Sequence, residues 1–281
     1  MQFQDILYEV TDGVAVIRFN RPEAMNAARL QTHLDLYDAL EAADADDAVR
    51  AVVVTGEGRA FCAGTDISGG FDLPTGGDPV TGDGVPPDVG GRVVLRLFRM
   101  SKPVAAAING PAAGFGATFT LAMDVRFAAE GAKFAFPFSR RAICVESCSS
   151  WFLPRLVGIQ TALDWMLSGR TFLAAEALAK GLVLEVLPPA EVLARAMAWA
   201  RDIAQNCAPA SVAVNRRMLW QMMGADHPMQ AHQLESRAIA ALLAQPDVQE
   251  GVASFRERRA PQFSGTVANA GFLQAWWPDK A

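Results

Sequence analysis

The segment of residues 101–124 constrains the fold of this chain more than any other segment. It contains an apolar run, Val104–Ile108, which ends at an Asn-Gly dipeptide and is typical of a buried strand followed by a turn. After the turn, Gly114 and Gly116 flank Phe115, and the residues that follow are again mostly apolar. The sequence therefore predicts a buried strand that turns directly into a helix.

The start of this predicted helix is a place where the backbone could bind an oxygen atom. The first N–H groups of a helix have no partners within it and lie at the positive end of its dipole. Glycine on both sides of Phe115 lets the backbone approach a ligand closely. A second interpretation fits the same residues, because small side chains also let a helix pack tightly on a sheet.

A second segment of the same kind lies earlier in the chain. Residues 50–56 contain a run of valines and predict a buried strand, and residues 58–67 then turn sharply toward an expected helix start. Two such units, each with free backbone N–H groups, could hold one carbonyl oxygen between them. That arrangement is an oxyanion hole.

The composition indicates an ordinary globular protein and excludes several classes of partner. The 281 residues suffice for one large domain or a core with a smaller attachment, and 51% of them are hydrophobic. The 25 Lys and Arg against 30 Asp and Glu give a net charge of −5, without a basic run. We therefore expect neither nucleic acid nor a membrane as a partner.

The N-terminus and the potential metal ligands narrow the expectations further. Residues 1–5 lack the features of a signal peptide, and no apolar stretch reaches membrane-spanning length, so a cytoplasmic location is expected. The 4 cysteines and 3 histidines form neither Cys-x-x-Cys pairs nor a His-Glu-x-x-His pattern. We expect reduced thiols and no metal.

Alternating strand and helix patterns predict an α/β core. A hairpin over residues 6–19 is followed by a helix over 30–43 and then by the strand at 51–55. Further strands are expected at 124–129 and 133–136, and the chain from Ser149 onward is expected to be mostly helical. The predicted helices there span residues 161–168, 174–180, 190–206, 209–223, 229–244 and 248–258.

Residues 68–91 are rich in Gly, Pro and Asp, a composition that buries little surface by itself. Such a loop next to a site is often a lid. A plain disordered insertion fits the same composition, and both interpretations stay open.

Several motifs recur in an order and spacing that covers nearly the whole chain. They are Phe-Asn-Arg-Pro-Glu-Ala-Met-Asn-Ala at 19–27, the segments 58–67 and 102–124, Phe-Pro-Phe at 136–138 leading to Glu-Ser-Cys-Ser-Ser at 146–150, Gly-Arg at 169–170 with 174–181, and Glu-Gly-Val at 250–252. Together they resemble the crotonase superfamily, the enoyl-CoA hydratases and isomerases.

The resemblance implies an architecture and an assembly. The expected fold is a crotonase-type spiral of repeated βαβ-like units with a helical C-terminal region. The expected domains are a crotonase core at 1–205 and a trimerisation region at 206–281, in a homotrimer or a dimer of trimers. The apolar stripe of Trp199, Ala200 and Ile203 and the Trp276–Trp277 pair suit contacts between chains or an intramolecular core.

The resemblance also implies a site for an acyl-CoA thioester, with coenzyme A entering only as part of the substrate and no other cofactor. The backbone N–H groups of Thr65 and Phe115 are the expected oxyanion hole. The residues expected to bind the substrate and its CoA are Ala63, Gly64, Asp66, Ile67, Gly114, Thr118 and Phe138.

The acid–base residues distinguish the reactions of this superfamily. The two glutamates of the hydratases correspond here to Thr118 and Phe138, neither of which can ionise near neutral pH. Glu146 lies in Val-Glu-Ser-Cys-Ser-Ser, which resembles the Pro-Glu-Gly-Cys-Ser-Ser segment of the Δ3,Δ2-enoyl-CoA isomerases, where that glutamate is the base. Moving a double bond from C3 to C2 needs one such carboxylate.

Three functional hypotheses follow. We favour an enoyl-CoA isomerase that uses Glu146 as its base. An enoyl-CoA hydratase with atypical residues and a non-catalytic acyl-CoA binder are the alternatives. Spacing alone also allows Glu146 to be a solvated residue that caps the helix beginning near Ser149.

Overall fold

The structure, a computed structural model, describes residues 2–70 and 85–273. Its main element is a six-stranded sheet with the order β1-β2-β3-β4-β6-β9, in which β1 pairs antiparallel with β2 and the other neighbours are parallel. The strands are β1 (Ile6–Thr11), β2 (Val14–Phe19), β3 (Ala51–Gly56), β4 (Val104–Ile108), β6 (Val125–Ala129) and β9 (Glu185–Leu187).

The two apolar runs of the sequence form the centre of this sheet. Every residue of β3 and of β4 is buried, as expected for parallel strands covered on both faces. A single core contains most of the buried apolar side chains from Ile6 to Ala200. The predicted alternation of strands and helices is confirmed.

A smaller sheet lies beside the turn after β4. It has the order β5-β7-β8, built from β5 (Ala112–Ala113), β7 (Lys133–Ala135) and β8 (Thr171–Leu173). Directly after β5, the helix α3 (Phe115–Thr118) makes a single turn and continues as a 3₁₀ helix over Phe119–Ala122. The expected helix start at Phe115 is therefore present, but the helix is shorter than its apolar sequence predicted.

The remaining helices surround the sheet and form the C-terminal region. They are α1 (Leu30–Ala45), α2 (Val89–Arg99), α4 (Ser149–Val157), α5 (Ile159–Ser168), α6 (Ala174–Ala179), α7 (Val192–Asn206), α8 (Pro209–Met222), α9 (Pro228–Leu243) and α10 (Pro246–Glu257). Helix α7 lies against β3, β4 and β6 and buries Ala200. This part of the Trp199–Ile203 stripe thus packs within the chain, whereas the Trp276–Trp277 pair lies outside the described residues.

A second, smaller hydrophobic cluster forms among α8, α9 and residues 267–273. It is separate from the main core, and the helical C-terminal region is confirmed. The division into domains at 205/206, and the trimerisation role of the second, stay predictions. Within the described part of the chain, no helix is both long and apolar enough to span a membrane.

Three local features differ from the sequence expectations. Strands β8 and β9 lie in the gaps between predicted helices and were not predicted, because they are three-residue strands held by pairing with distant partners. Helix α2 begins at Val89, inside the presumed loop of residues 68–91, because Asp88 caps its first turn. No helix begins near Ile67, since residues 66–70 form a turn in which the Ser68 N–H bonds the Asp66 carboxylate and Gly70 has a φ of 93°. Residues 71–84 of the loop lie outside the described residues.

Candidate active site

The N–H of Thr65 points away from Ala28, the residue to which both neighbours of Thr65 are hydrogen-bonded. Thr65 forms a parallel bridge with Ala28, in which the Ala28 N–H donates to the Gly64 carbonyl and the Asp66 N–H donates to the Ala28 carbonyl, each at 2.8 Å. The neighbours of Thr65 therefore point toward Ala28, and its own N–H points to the opposite side. The donor comes from a bridge and not from a helix start.

The N–H of Phe115 is the first of α3. Gly114, which precedes it at a φ of 49°, donates its own N–H to Ala135, and its carbonyl accepts from Ala117 and Thr118. In the described part of the chain, no hydrogen bond uses the N–H of Phe115 or that of Thr65. Both predicted oxyanion donors are thus free to bind a ligand.

Glycine brings the two donor segments together. A Cβ on Gly64, which has a φ of 106°, would lie 2.8 Å from the Ala113 carbonyl oxygen. Only glycine permits this approach, and the two segments line one cavity of about 130 Å³. Its lining comprises Ala63, Gly64, Thr65, Ile67, Gly114, Phe115, Pro137, Phe138, Arg141 and Ile143.

Most of the predicted substrate-binding residues meet in this cavity, but three predicted site residues lie outside it as the described residues outline it. The Asp66 carboxylate pairs with Arg21 at 3.1 Å, beside the bridge. Thr118 is fully buried behind Phe115. Glu146 accepts a hydrogen bond from the Thr118 hydroxyl.

The Phe115 side chain does not fill the cavity mouth. Its ring is 1% exposed, stacks on Phe119 at 5.3 Å and contacts the His33 ring edge-on at 4.2 Å. The large residue at this position is therefore part of the core, and only its backbone is offered to a ligand.

The Glu146 carboxylate accepts hydrogen bonds from two hydroxyl groups. Thr118 Oγ1 donates to Oε1, and Ser147 Oγ donates to Oε2. Thr118 Oγ1 also lies 3.3 Å from the carbonyl of Phe115, so one hydroxyl connects the carboxylate to the oxyanion backbone. Helix α4 is capped by the Glu146 backbone carbonyl, which accepts from Ser149, and not by its side chain. The interpretation of Glu146 as a solvated helix cap is therefore wrong.

The surroundings of Glu146 favour its protonated form. Burial raises the pKa of Glu146 from 4.5 to about 7, the hydrogen bonds from Ser147 and Thr118 oppose this, and the charge of Asp88 adds to it. The carboxyl group is thus present in both protonation states near neutral pH. A group of this kind can accept a proton and return it.

The backbone that carries Glu146 is unusual. Ser147 and Cys148 both have a φ of 54°, in the left-handed region that non-glycine residues seldom adopt. The glycine of the isomerase motif corresponds to Ser147, and the observed conformation gives a physical reason for glycine there. Here Ser147 keeps this conformation while its N–H donates to Asp88 at 2.6 Å.

Sequence reasoning missed three residues, two beside Glu146 and one beside Phe115. Asp88 is the N-cap of α2 and Gly90 lies in its first turn, where a Cβ would lie 2.6 Å from Glu146 Oε2. An aspartate before a helical segment is an N-cap signal that could have located Asp88. His33 is 7% exposed, its Nδ1 has no partner, and burial lowers its pKa to about 4; nothing in the sequence distinguishes it from a surface histidine of α1.

Residues 2–70 and 85–273 contain no group of three or more metal-ligating side chains that could hold a metal ion. The titratable groups that the described residues place near Glu146 are instead an aspartate and thiols.

Comparison with known proteins identifies the family. The family model for enoyl-CoA hydratase/isomerase matches residues 9–266. The chain belongs to the enoyl-CoA hydratase/isomerase family. It is 41% identical to an enoyl-CoA hydratase of Alternaria alternata, over 91% of this chain and 84% of that protein. It is 33% identical to the 1,2-epoxyphenylacetyl-CoA isomerase of Escherichia coli K12, over 92% and 98%.

Solved structures confirm the crotonase-type fold. An enoyl-CoA hydratase of Bacillus anthracis superimposes with a TM-score of 0.85 at 29% identity. The match covers 93% of this chain and 100% of that one. Membership of the enoyl-CoA hydratase/isomerase family makes this chain an acyl-CoA-processing enzyme. Most of these relatives are named hydratases, and one is named an isomerase.

Proposed function

We propose that this member of the family is an enoyl-CoA isomerase that moves a double bond from C3 to C2 with Glu146 as its base. The observation that carries the proposal is that the residue in place of a hydratase glutamate is hydrogen-bonded to Glu146. The position of the first hydratase glutamate holds Thr118, whose hydroxyl donates to the Glu146 carboxylate. The site therefore has one poised carboxylate where a hydratase has two.

The free N–H groups of Thr65 and Phe115 supply the electrostatic part of the reaction. The thioester carbonyl enters between them, and its oxygen becomes negative when the α-carbon loses a proton. Preorganised backbone donors of this kind contribute about 3–4 kcal/mol each to the transition state. The cavity between Gly64 and Gly114 suits a thioester group, with the CoA beside Ala63, Asp66 and Ile67.

Glu146 carries out the proton transfers. The ionised carboxylate removes a proton from C2, the electrons delocalise over the dienolate, and the protonated Glu146 returns the proton to C4. A pKa of about 7 serves both steps, since the group is neither too weak as a base nor too weak as an acid. The Thr118 hydroxyl can bond to the Phe115 carbonyl when Glu146 is protonated, so both states keep their hydrogen bonds.

A hydratase mechanism is the second candidate, favoured by the names of several relatives. It needs a second group to orient and deprotonate water, and Phe138 replaces the second glutamate. Asp88 is a further carboxylate whose charge acts on Glu146, but its oxygens accept from the backbone N–H groups of Gly90, Gly91 and Ser147. A carboxylate used in this way is poorly placed to activate water, which supports isomerisation.

The proposal is tested with a panel of 3-enoyl-CoA and 2-enoyl-CoA thioesters. Double-bond movement is followed by the appearance of the conjugated thioester, and water addition by its loss. We expect isomerisation, and we expect Glu146→Gln to reduce it by about 10²–10⁴-fold. Binding of a CoA thioester should be retained in the variant, since the Thr65 and Phe115 N–H groups are unchanged.

Three outcomes would contradict the proposal. Equal isomerisation by the wild type and Glu146→Gln would exclude Glu146 as the base. Thioester binding without turnover across the whole panel would favour the non-catalytic binder. Rapid water addition with little isomerisation would favour the hydratase.

We also propose a homotrimer or a dimer of trimers. Large apolar side chains are exposed on the C-terminal helices, with Leu219 at 74%, Leu243 at 61% and Phe255 at 85%. Such side chains on several helices suit contacts with other copies of the chain. Light scattering on the purified protein tests this, and a monomer at micromolar concentration would contradict it.

A further inference from the structure

Asp88 connects two segments that are far apart in the sequence. Its Oδ1 accepts from the Gly90 N–H at 3.0 Å and its Oδ2 from the Gly91 N–H at 2.9 Å, which caps α2. The same Oδ2 accepts from the Ser147 N–H at 2.6 Å. One carboxylate thus fixes the residue directly after Glu146 to the first turn of α2.

The same first turn forms a wall behind the base. The Cα of Gly90 faces Glu146 Oε2 and Ser147 Oγ so closely that a Cβ would collide with both. Because Ser147 lies in the left-handed region, its conformation needs outside support, and the bond to Asp88 supplies it. The direction of the Glu146 side chain therefore depends on Asp88.

Asp88 is also the charge that acts on Glu146. Among the other titratable groups that the described residues place around these two carboxylates, burial raises the pKa of Cys62 to about 12 and that of Cys148 above its usual value. Burial lowers the pKa of His33 to about 4. All three are neutral at pH 7, so Asp88 supplies the local charge.

We propose that Asp88 is a positioning residue for Glu146, which clamps the turn at residues 146–148 to α2 and holds a negative charge beside the base. This inference rests on the proposed role of Glu146. Its chemical consequence is a more basic carboxylate: the charge of Asp88 disfavours a second charge on Glu146, so the Glu146 proton is held to higher pH.

The first test is the pH dependence of kcat/KM for isomerisation in the wild type and in Asp88→Asn. Removing the charge lowers the pKa of Glu146, so the acid limb should move to lower pH by about 0.5–1 unit. The rate on the plateau should fall several-fold, with KM little changed. Asp88→Ser, which keeps a hydroxyl as helix cap, should shift the limb in the same direction and serves if Asn does not fold.

Asp247→Asn is the matched control. Asp247 also accepts from backbone N–H groups of a distant segment, those of Ser264 and Gly265, but lies in the C-terminal region. Its replacement should leave the pH profile unchanged. A lower Tm for Asp88→Asn with an unmoved acid limb would show that Asp88 is only a helix cap, and would overturn the proposal.

A second measurement separates this inference from the proposed function. The ¹³C NMR titration of the Glu146 carboxyl carbon, assigned by its disappearance in Glu146→Gln, does not require turnover. A lower midpoint in Asp88→Asn than in the wild type supports the proposal even if no isomerase substrate is found. Equal midpoints overturn it even if isomerisation through Glu146 is established.

Discussion

At the scale of single residues, burial raises the pKa of Glu146 and its hydrogen bonds lower it, and the effect of burial is the larger. The motif around Glu146 was sufficient to select it from the sequence, and so were the positions of Thr65 and Phe115. Asp88 could not be selected in this way, because its bond to Ser147 joins residues 59 positions apart. Contacts of that kind depend on how α2 is placed, which no local pattern determines.

The raised pKa of Glu146 predicts a cost in stability. Between the unfolded value of 4.5 and the folded value of about 7, the folded state holds a proton that the unfolded state has released. Stability therefore falls as the pH rises through this window, by up to about 3 kcal/mol, and the loss persists above it. Glu146→Gln removes this titrating group. The free energy of unfolding of the variant minus that of the wild type should therefore be more favourable to the variant at pH 8 than at pH 5.

Urea unfolding at the two pH values measures this difference. Glu130→Gln, at an exposed carboxyl group between β6 and β7, is the control for a general change in charge. A Glu146→Gln effect of the same size at pH 5 and pH 8 would show that the carboxyl group is not desolvated in the folded protein.

At the scale of elements, long apolar strands were the most predictable part of the fold. β4 matches its apolar run residue for residue, since a run with buried residues on both faces admits few alternatives. The short strand β9 was missed because its pairing with β6, and not its own sequence, holds it in the sheet. The start of α2 was missed because the Gly-rich composition of the segment predicted a loop there, although Asp88 caps the helix.

The contact between α2 and Glu146 predicts that Gly90 is required. In Gly90→Ala the new methyl group would lie 2.6 Å from Glu146 Oε2 and collide with Ser147 Oγ, so the carboxylate or the helix must move. A displacement of about 1 Å can cost about 10²-fold in rate, and isomerisation should fall accordingly, with thioester binding retained.

Gly251→Ala is the control for this variant, because Gly251 is also helical and a Cβ there meets its neighbour at an ordinary 3.8 Å. It should leave kcat unchanged. Full activity in Gly90→Ala would show that the first turn of α2 does not restrain the base.

At the scale of the whole molecule, the helical C-terminal region is joined to the sheet through α8. The Arg216 guanidinium donates to Asp124 Oδ2 at 2.9 Å and to the Leu97 carbonyl at 3.0 Å, and Trp220 Nε1 donates to Asp124 Oδ1 at 2.8 Å. Asp124 also accepts from the Val104 N–H at 2.7 Å, so it serves the entry of β4 as well. The sequence predicted a strand from residue 124, but not the partner of Asp124, which lies 92 residues away.

Arg216→Met should therefore loosen the C-terminal region while the sheet persists. Arg216 is buried, and its loss leaves the Asp124 carboxylate without its cationic partner and the carbonyls at the end of α2 without the guanidinium donor, at a cost of about 3–5 kcal/mol. Hydrogen exchange should become faster across α8 and α9 and change less in β3 and β4. Arg259→Met, which removes an ion pair with Glu250 near the surface, is the matched control and should change stability little. Equally faster exchange in the sheet and in the C-terminal helices of Arg216→Met would show that the two unfold as one unit. Unchanged slow exchange in both would show that the apolar contacts of α8 suffice to hold the C-terminal region on the sheet.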